Sequence, residues 1–418
     1  MAVRRGEGDE PRGTWGLMLD PIYGRFIVTQ MLANTGVWMY NVAAVVLVYE
    51  YSNSAFLVGM LSVAQFTPQL FLSLLSGSLA DRGDRRTLLV AGRLLVALGS
   101  GLLGVWILLS DQDRPGRVAP ILACAVVVGL GFVVAGPAMN ALVPALVEPG
   151  ELASAVGLSL VPVSLARAIG PALGAGSMVL WGPGATFLLA SCANVLFALT
   201  VAWMRISSDR SRRRHAGDLS ARAGLRHVRH DSQLAVMLLL VGVVSLGADP
   251  VVTLAPVLAE ELGGGREYVG YFASAFGCGA VLSLAVLSLS SRISVTKQAM
   301  AGLSMVGVST LTLVWSHDVW LSLVCFLAGG LGMMLALTSI STAIQLRSPE
   351  QLRGRVMSIW AIAFIGSRPL AAAFDGWMAD WISVDAALIV VALVVLLSGV
   401  LTRHIGGRAR KVDPVATA

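Results

Sequence analysis

The sequence predicts an all-α polytopic membrane protein with twelve transmembrane helices in two six-helix halves. Three observations predict it. Of 418 residues, 56% are hydrophobic and 13% charged, whereas a soluble domain carries about 25% charged residues. The apolar residues gather in twelve runs, and about 20 apolar residues cross a bilayer core of about 30 Å. The charges fall in the gaps between the runs.

In chain order the runs are 23–49, 54–80, 87–110, 117–143, 152–180, 184–205, 232–258, 267–291, 298–316, 319–345, 352–380 and 385–403. The eleventh is the least apolar, because it holds Arg355, Arg368 and Asp375. Residues 1–22 form a polar tail with no cleavable signal, since the first apolar run is too long for a signal core. Residues 23–205 make the first bundle, 206–231 a basic linker, 232–404 the second bundle and 405–418 a second tail. The linker carries Arg210, Arg212, Arg213, Arg214, Arg222, Arg226 and Arg229. Leu219, Ala223, Leu225 and Val228 give its later part an apolar face. It reads either as a short helix on the inner leaflet or as a solvated linker.

Basic residues set the orientation. The tails and one set of loops hold 23 of the 30 arginines and lysines, and the other loops hold only Arg114, Arg117 and Arg266. Arg25, Arg93, Arg167 and Arg368 lie within spans (Arg355 is grouped with the loop it adjoins). Positive loops stay inside, so both termini are expected in the cytoplasm and the protein in the plasma (inner) membrane.

The same pattern excludes other classes. Arginines confined to loops between spans argue against nucleic acid. Cys124, Cys192, Cys278 and Cys325 each sit in an apolar run, as small buried hydrophobes would. No phosphate loop, metal-ligand cluster or nucleophile–base set is visible. No enzyme activity, cofactor or metal is expected. The expected partners are the lipid bilayer, protons and a small molecule, and the protein is expected to be a monomer.

The halves repeat. Pro149-Gly150-Glu151-Leu152 leads to Val156 at the fifth span, and Pro349-Glu350-Gln351-Leu352 leads to Val356 at the eleventh, 200 residues on. Duplicated halves are a common transporter construction.

Two motifs carry a family resemblance. After span two comes Gly77-Ser78-Leu79-Ala80-Asp81-Arg82-Gly83-Asp84-Arg85-Arg86. In span five, Gly157, Ala166, Gly170-Pro171 and Gly174-Ala175 recur at fixed spacing. The first resembles the hairpin signature of the major facilitator superfamily, and departs from it at Gly83-Asp84, where the glycine has moved one place. The resemblance implies that Asp81 engages the start of span eleven near Leu352–Val356, with Arg82, Arg85 and Arg86 in a charge relay. A carboxylate is at home at a helix N-terminus; the plainer reading is a tight turn that fixes topology. The second resembles the exporters' glycine signature, with two glycines replaced by alanine, and implies a stretch that seals the cavity. Its plainer reading is a small-residue packing face. The runs 140–152, 224–234 and 352–358 resemble the branch containing the enterobactin exporter and macrolide-efflux proteins.

Ionisable residues within spans are costly and are functional candidates by default. Asp249 precedes Pro250 in span seven, and Asp375 lies in span eleven, two turns beyond Arg368. No histidine falls within a span, so carboxylates must carry any proton. Asp249 is the first candidate and Asp375 the second, with Arg368 and Arg167 as modulators; static ion pairing is the alternative. The cavity between the halves is expected to be lined by Asn34, Trp38, Tyr40, Asn41, Gln65 and Gln69. Glu50 reads as a hydrated edge residue. The expectation is an exporter of small amphipathic molecules (a drug, siderophore or secondary metabolite), run by proton antiport. An importer of the same fold and a non-transporting receptor are the alternatives.

Overall fold

A computed structural model describes residues 14–82, 84–110, 118–204, 221–290 and 292–406, and among them all regular structure is helical. The first half holds α1 (Thr14–Met18), α2 (Tyr23–Ser52), α3 (Ala55–Arg82), α4 (Arg85–Leu109), α5 (Val118–Leu146) and α6 (Leu152–Trp203). The second holds α7 (Ala221–His230), α8 (Ser232–Ala248), α9 (Pro250–Thr253), α10 (Ala255–Glu261), α11 (Arg266–Leu289), α12 (Val295–Leu313), α13 (Val319–Arg347), α14 (Glu350–Trp381) and α15 (Val384–Gly406).

Nine described helices are long and apolar enough to cross a membrane. One of them, α6, is two passes: Gly182 turns the chain at φ 81°, ψ 166°, a conformation open to glycine because it has no Cβ. The short, polar-ended α12 and α15 complete the twelve expected passes. Span seven is interrupted. Pro250 and Pro256 lack the N–H that would continue the ladder, and α8, α9 and α10 follow one another across Asp249 and Leu254.

An even number of passes puts both chain ends on one side, here the terminal face; the other is the distal face. Trp15 and Trp203 stand exposed at span ends on the terminal face, and Trp181, Trp315, Trp320 and Trp381 at the distal face. Tryptophan favours the two membrane–water interfaces. Between these belts the exterior is apolar: Phe71, Leu180, Val324 and Leu397 all point outwards. Cys192 and Cys278 also lie exposed on spans, with only Cys325 buried and Cys124 between. The expectation of four buried thiols is therefore corrected. These small apolar side chains need no burial where the solvent is lipid.

In the first half α2 packs on α6, α4 on α5 and α6, and α3 on α5; in the second α12 packs on α13 and α15, α11 on α13, and α8 on α14. The halves meet along α3–α14 and α6–α11. Three apolar cores result. One, at the distal end, is shared by both halves, from Val42–Val48 and Val58 to Leu254, Phe272 and Ala387. The others are private. Phe26, Leu89, Leu142 and Phe197 fill one in the first half, and Leu234, Val241, Ile340 and Val395 fill one in the second.

Part of the basic linker is helical. α7 packs on α14 and α8, and Val228 enters the second private core while Leu225 stays exposed. Its apolar side is thus spent partly on protein.

Candidate transport cavity

Below the shared core a cavity opens between the halves, with about 730 Å³ of space including its mouth. α2 supplies Trp38, Asn41, Val42 and Val45, α6 supplies Arg167, and α8, α9, α11, α13 and α14 supply the rest, including Val252, Phe276, Met333, Phe364 and Arg368. The walls are mostly aliphatic and aromatic, with a few polar groups, as in most small-molecule sites.

The two arginines face it from opposite halves. The Arg167 guanidinium lies 5.7 Å from the Trp38 ring centre and that of Arg368 4.8 Å from Phe66. Each sits within the other's field. Arg25 is exposed at the start of α2. Arg93 is buried away from the cavity, over Phe197 at 5.0 Å, and donates to Asn194 and Asn34.

Behind Arg368 lie the carboxyls. Asp249, 4% exposed, occupies the break between α8 and α9 and accepts a 2.6 Å hydrogen bond from Thr253, one turn on. Asp375 is fully buried, and no described donor reaches its oxygens. The polar group it meets is the Asp249 carboxyl. Two acidic groups from different parts of the second half thus lie buried within each other's field, with Arg368 nearby.

The amides predicted to line the cavity divide. Trp38 and Asn41 line it, and Asn41 accepts a 3.1 Å bond from Gln65. Gln69 is half-buried one turn further along α3. Asn34 turns to Arg93 instead. Tyr40 does not reach the cavity: it is 1% exposed and meets Phe187 edge-on at 5.5 Å. At about 100° per residue it lies on the opposite side of α2 from Trp38.

In the span-five motif, Gly170 seats against the Trp38 Cβ and Gly174 against the Met39 backbone. Gly157 faces open space. From α11, Gly270 approaches the Pro171 carbonyl and Ala175, and Gly277 the Arg167 backbone. The stretch is thus pressed between α2 and α11.

Of the hairpin motif, the Gly77, Asp81 and Arg82 side chains lie outside the described residues, as does any contact of Asp81 with the start of α14. Arg85 and Arg86 open α4. The shifted residue Asp84 caps that helix, accepting from Thr87 Oγ1 at 2.7 Å and from the Thr87 and Arg86 amides. Those bonds, the Thr87 hydroxyl first, hold its carboxyl below the usual range. Asp231 caps α8 and binds Arg347 twice, at 2.7 and 3.1 Å. Burial raises its carboxyl, but Arg347 and the capping amides outweigh this and leave it lowered.

The distal closure was not legible in the sequence. Glu50 is no hydrated edge residue: Arg266 grips it at 2.6 and 2.9 Å. Tyr49 donates to Glu260 at 2.6 Å. Asp380, at the end of α14, caps α3, accepting from the Ser54 hydroxyl and from the Ala55 and Phe56 amides at 2.8 and 3.1 Å. All three contacts join the halves.

Residues 12–415 match the family described as a transmembrane secretion effector, MFS_3. The chain belongs to this family of major facilitator transporters. This transporter is 24% identical over 398 residues to the uncharacterized MFS-type transporter YfiS of Bacillus subtilis (strain 168), spanning 90% of this chain and 91% of YfiS. It is 25% identical over 344 residues to the multidrug resistance protein MdtH of Yersinia pestis (strain Pestoides F), across 78% and 79% of the two chains. Solved structures share its fold. A bacterial homologue of the human lysosomal transporter Spinster, inward-facing and unoccupied, superposes with a TM-score of 0.74 at 12% identity, over 95% of this chain and all of that one. A bacterial homologue of the iron transporter ferroportin, inward-facing, gives 0.71 at 15% identity, over 93% and 99%. The protein is a multi-pass membrane transporter and not an enzyme.

Proposed function

We propose that this transporter exports small amphipathic molecules by alternating access, in exchange for protons. The observation that carries the reading is the burial of two carboxyls, Asp249 and Asp375, in the second half, with a mostly apolar cavity between the halves. Buried ionisable groups in a membrane are expensive, and proton relays are a recurrent use of them. The export direction draws on the glycine-rich stretch of α6 and on the likeness to MdtH. Bundles 23–205 and 232–404 rock against one another. The arginine census supports a cytoplasmic terminal face; on that reading the distal latches close the outer side and the cavity opens inwards. A monomer is the proposed working unit. Siderophores, drugs and secondary metabolites are the cargo classes in view.

The test is reconstitution in vesicles with an imposed pH gradient, following dansyl-labelled amphiphiles. Uphill movement that collapses with a protonophore is expected, and Asp249→Asn or Asp375→Asn should lower it at least tenfold. Intact uphill transport in both variants would remove the carboxyl pair from the mechanism.

A further inference from the structure

We propose that the cargo carries a negative charge, and that Arg167 and Arg368 hold its anionic group from the two sides of the cavity while the apolar walls hold its body. This deepens the export reading and rests on it for the cavity being the cargo site.

Both guanidiniums line the cavity, and among the described residues neither makes a hydrogen bond or an ion pair. What each touches is an aromatic face. An aromatic face steadies a cation, but it leaves the five N–H donors of a guanidinium free. The carboxyls nearby do not cancel the two charges. Asp249 accepts from Thr253, and among the described residues neither it nor Asp375 forms an ion pair with Arg167 or Arg368. Excess positive charge in a low-dielectric cavity is costly. A carboxylate or sulfonate entering from water offsets that cost and fills the vacant donors in the geometry arginine favours. A cationic amphiphile meets only repulsion. The remaining wall residues carry no charge, and Asn41 and Ser245 are the neutral polar groups among them, so the arginines set the preference by charge.

The probes are three molecules with one aromatic body: dansylglycine (anionic), dansylglycinamide (neutral) and N-dansylethylenediamine (cationic). Their binding to the purified full-length protein in maltoside micelles is measured by equilibrium dialysis against protein-free micelles. Dansylglycine should bind at least tenfold tighter than the amide, and the cation weakest. Arg167→Gln and Arg368→Gln should each cut the anion preference to about threefold or less, whereas Arg167→Lys and Arg368→Lys keep most of it. Equal binding of acid and amide, tighter binding of the cation, or an undiminished preference in the Gln variants overturns the proposal. The wild-type comparison decides even if a variant does not fold. Vesicle transport separates the two readings. Anion-selective binding without uphill transport removes proton-driven export and leaves this inference standing. Uphill export of the cation alone does the reverse.

Discussion

The two faces of the molecule are built differently. At the distal face the halves share one apolar core, and three polar contacts cross between them: Asp380 on the start of α3, Arg266 on Glu50 and Tyr49 on Glu260. At the terminal face each half has its own core, and the polar contacts named there among the described residues join elements of one half. Tyr23 donates to Ala155 within the first half, Arg347 binds Asp231 within the second, and Asp84 caps its own helix. Contacts that cross must break for the halves to alternate; contacts that stay inside can persist. The difference teaches which bonds belong to the rigid parts and which to the joint.

The comparison can be broken most strongly where backbone meets backbone. Gly277→Val would drive a side chain into the Arg167 carbonyl, and overpacking costs about 1–3 kcal/mol or more. A cysteine at Val252, in a background lacking the native cysteines, reports opening through its reaction with an impermeant maleimide added at the distal side. Gly277→Val should raise that reaction more than tenfold. Asp380→Ala comes next: losing hydrogen bonds to a carboxylate costs about 1.5 kcal/mol, so labelling should rise roughly tenfold.

Asp84→Ala tests the other face. Losing a helix cap costs about 1 kcal/mol, seen as a lower melting temperature with distal labelling unchanged. The cap also has a pH signature. Its carboxyl lies below its unfolded value of about 3.9, so its contribution is complete above that value and fades as pH falls through the lower folded value. Wild type and Asp84→Ala should therefore converge in melting temperature under acid. Glu50→Ala is expected to do least. A part-exposed ion pair contributes about 0.5 kcal/mol, giving less than a threefold rise in labelling that the charge-swapped pair Glu50→Arg with Arg266→Glu reverses. A rise in distal labelling from Asp84→Ala equal to that from Asp380→Ala would erase the distinction between the faces.

The helices were legible because apolar length is a strong signal, and even the turn at Gly182 fell in the predicted gap. The interruption of span seven was legible in Pro250, though its three-part form was not. Asp249 and Asp375 stand out singly as charges in apolar runs; their adjacency depends on how α8 and α14 pack, which no local pattern encodes. Tyr40 was drawn to the cavity by its chemistry when its helical angle pointed elsewhere. A carboxylate at a span end, such as Glu50 or Asp380, reads as hydrated in a sequence until its partner from the other half is seen. Thr253, four residues after Asp249, was a usable clue.

The glycines along α3–α14 and α6–α11 have a mechanical consequence. Gly59 sits on Ala372, Gly376 on Ala55, Gly270 on Ala175 and Gly277 on Arg167. Where large side chains interlock, one helix cannot slip past another until the teeth disengage. Smooth backbone against backbone has no teeth. These seams can serve as plain bearings, on which the halves roll with little friction. Their switching rate would then be set by the polar latches at the rim and by the hydrogen bond from the Ala172 amide to the Ser274 hydroxyl, rather than by the long apolar surfaces between them.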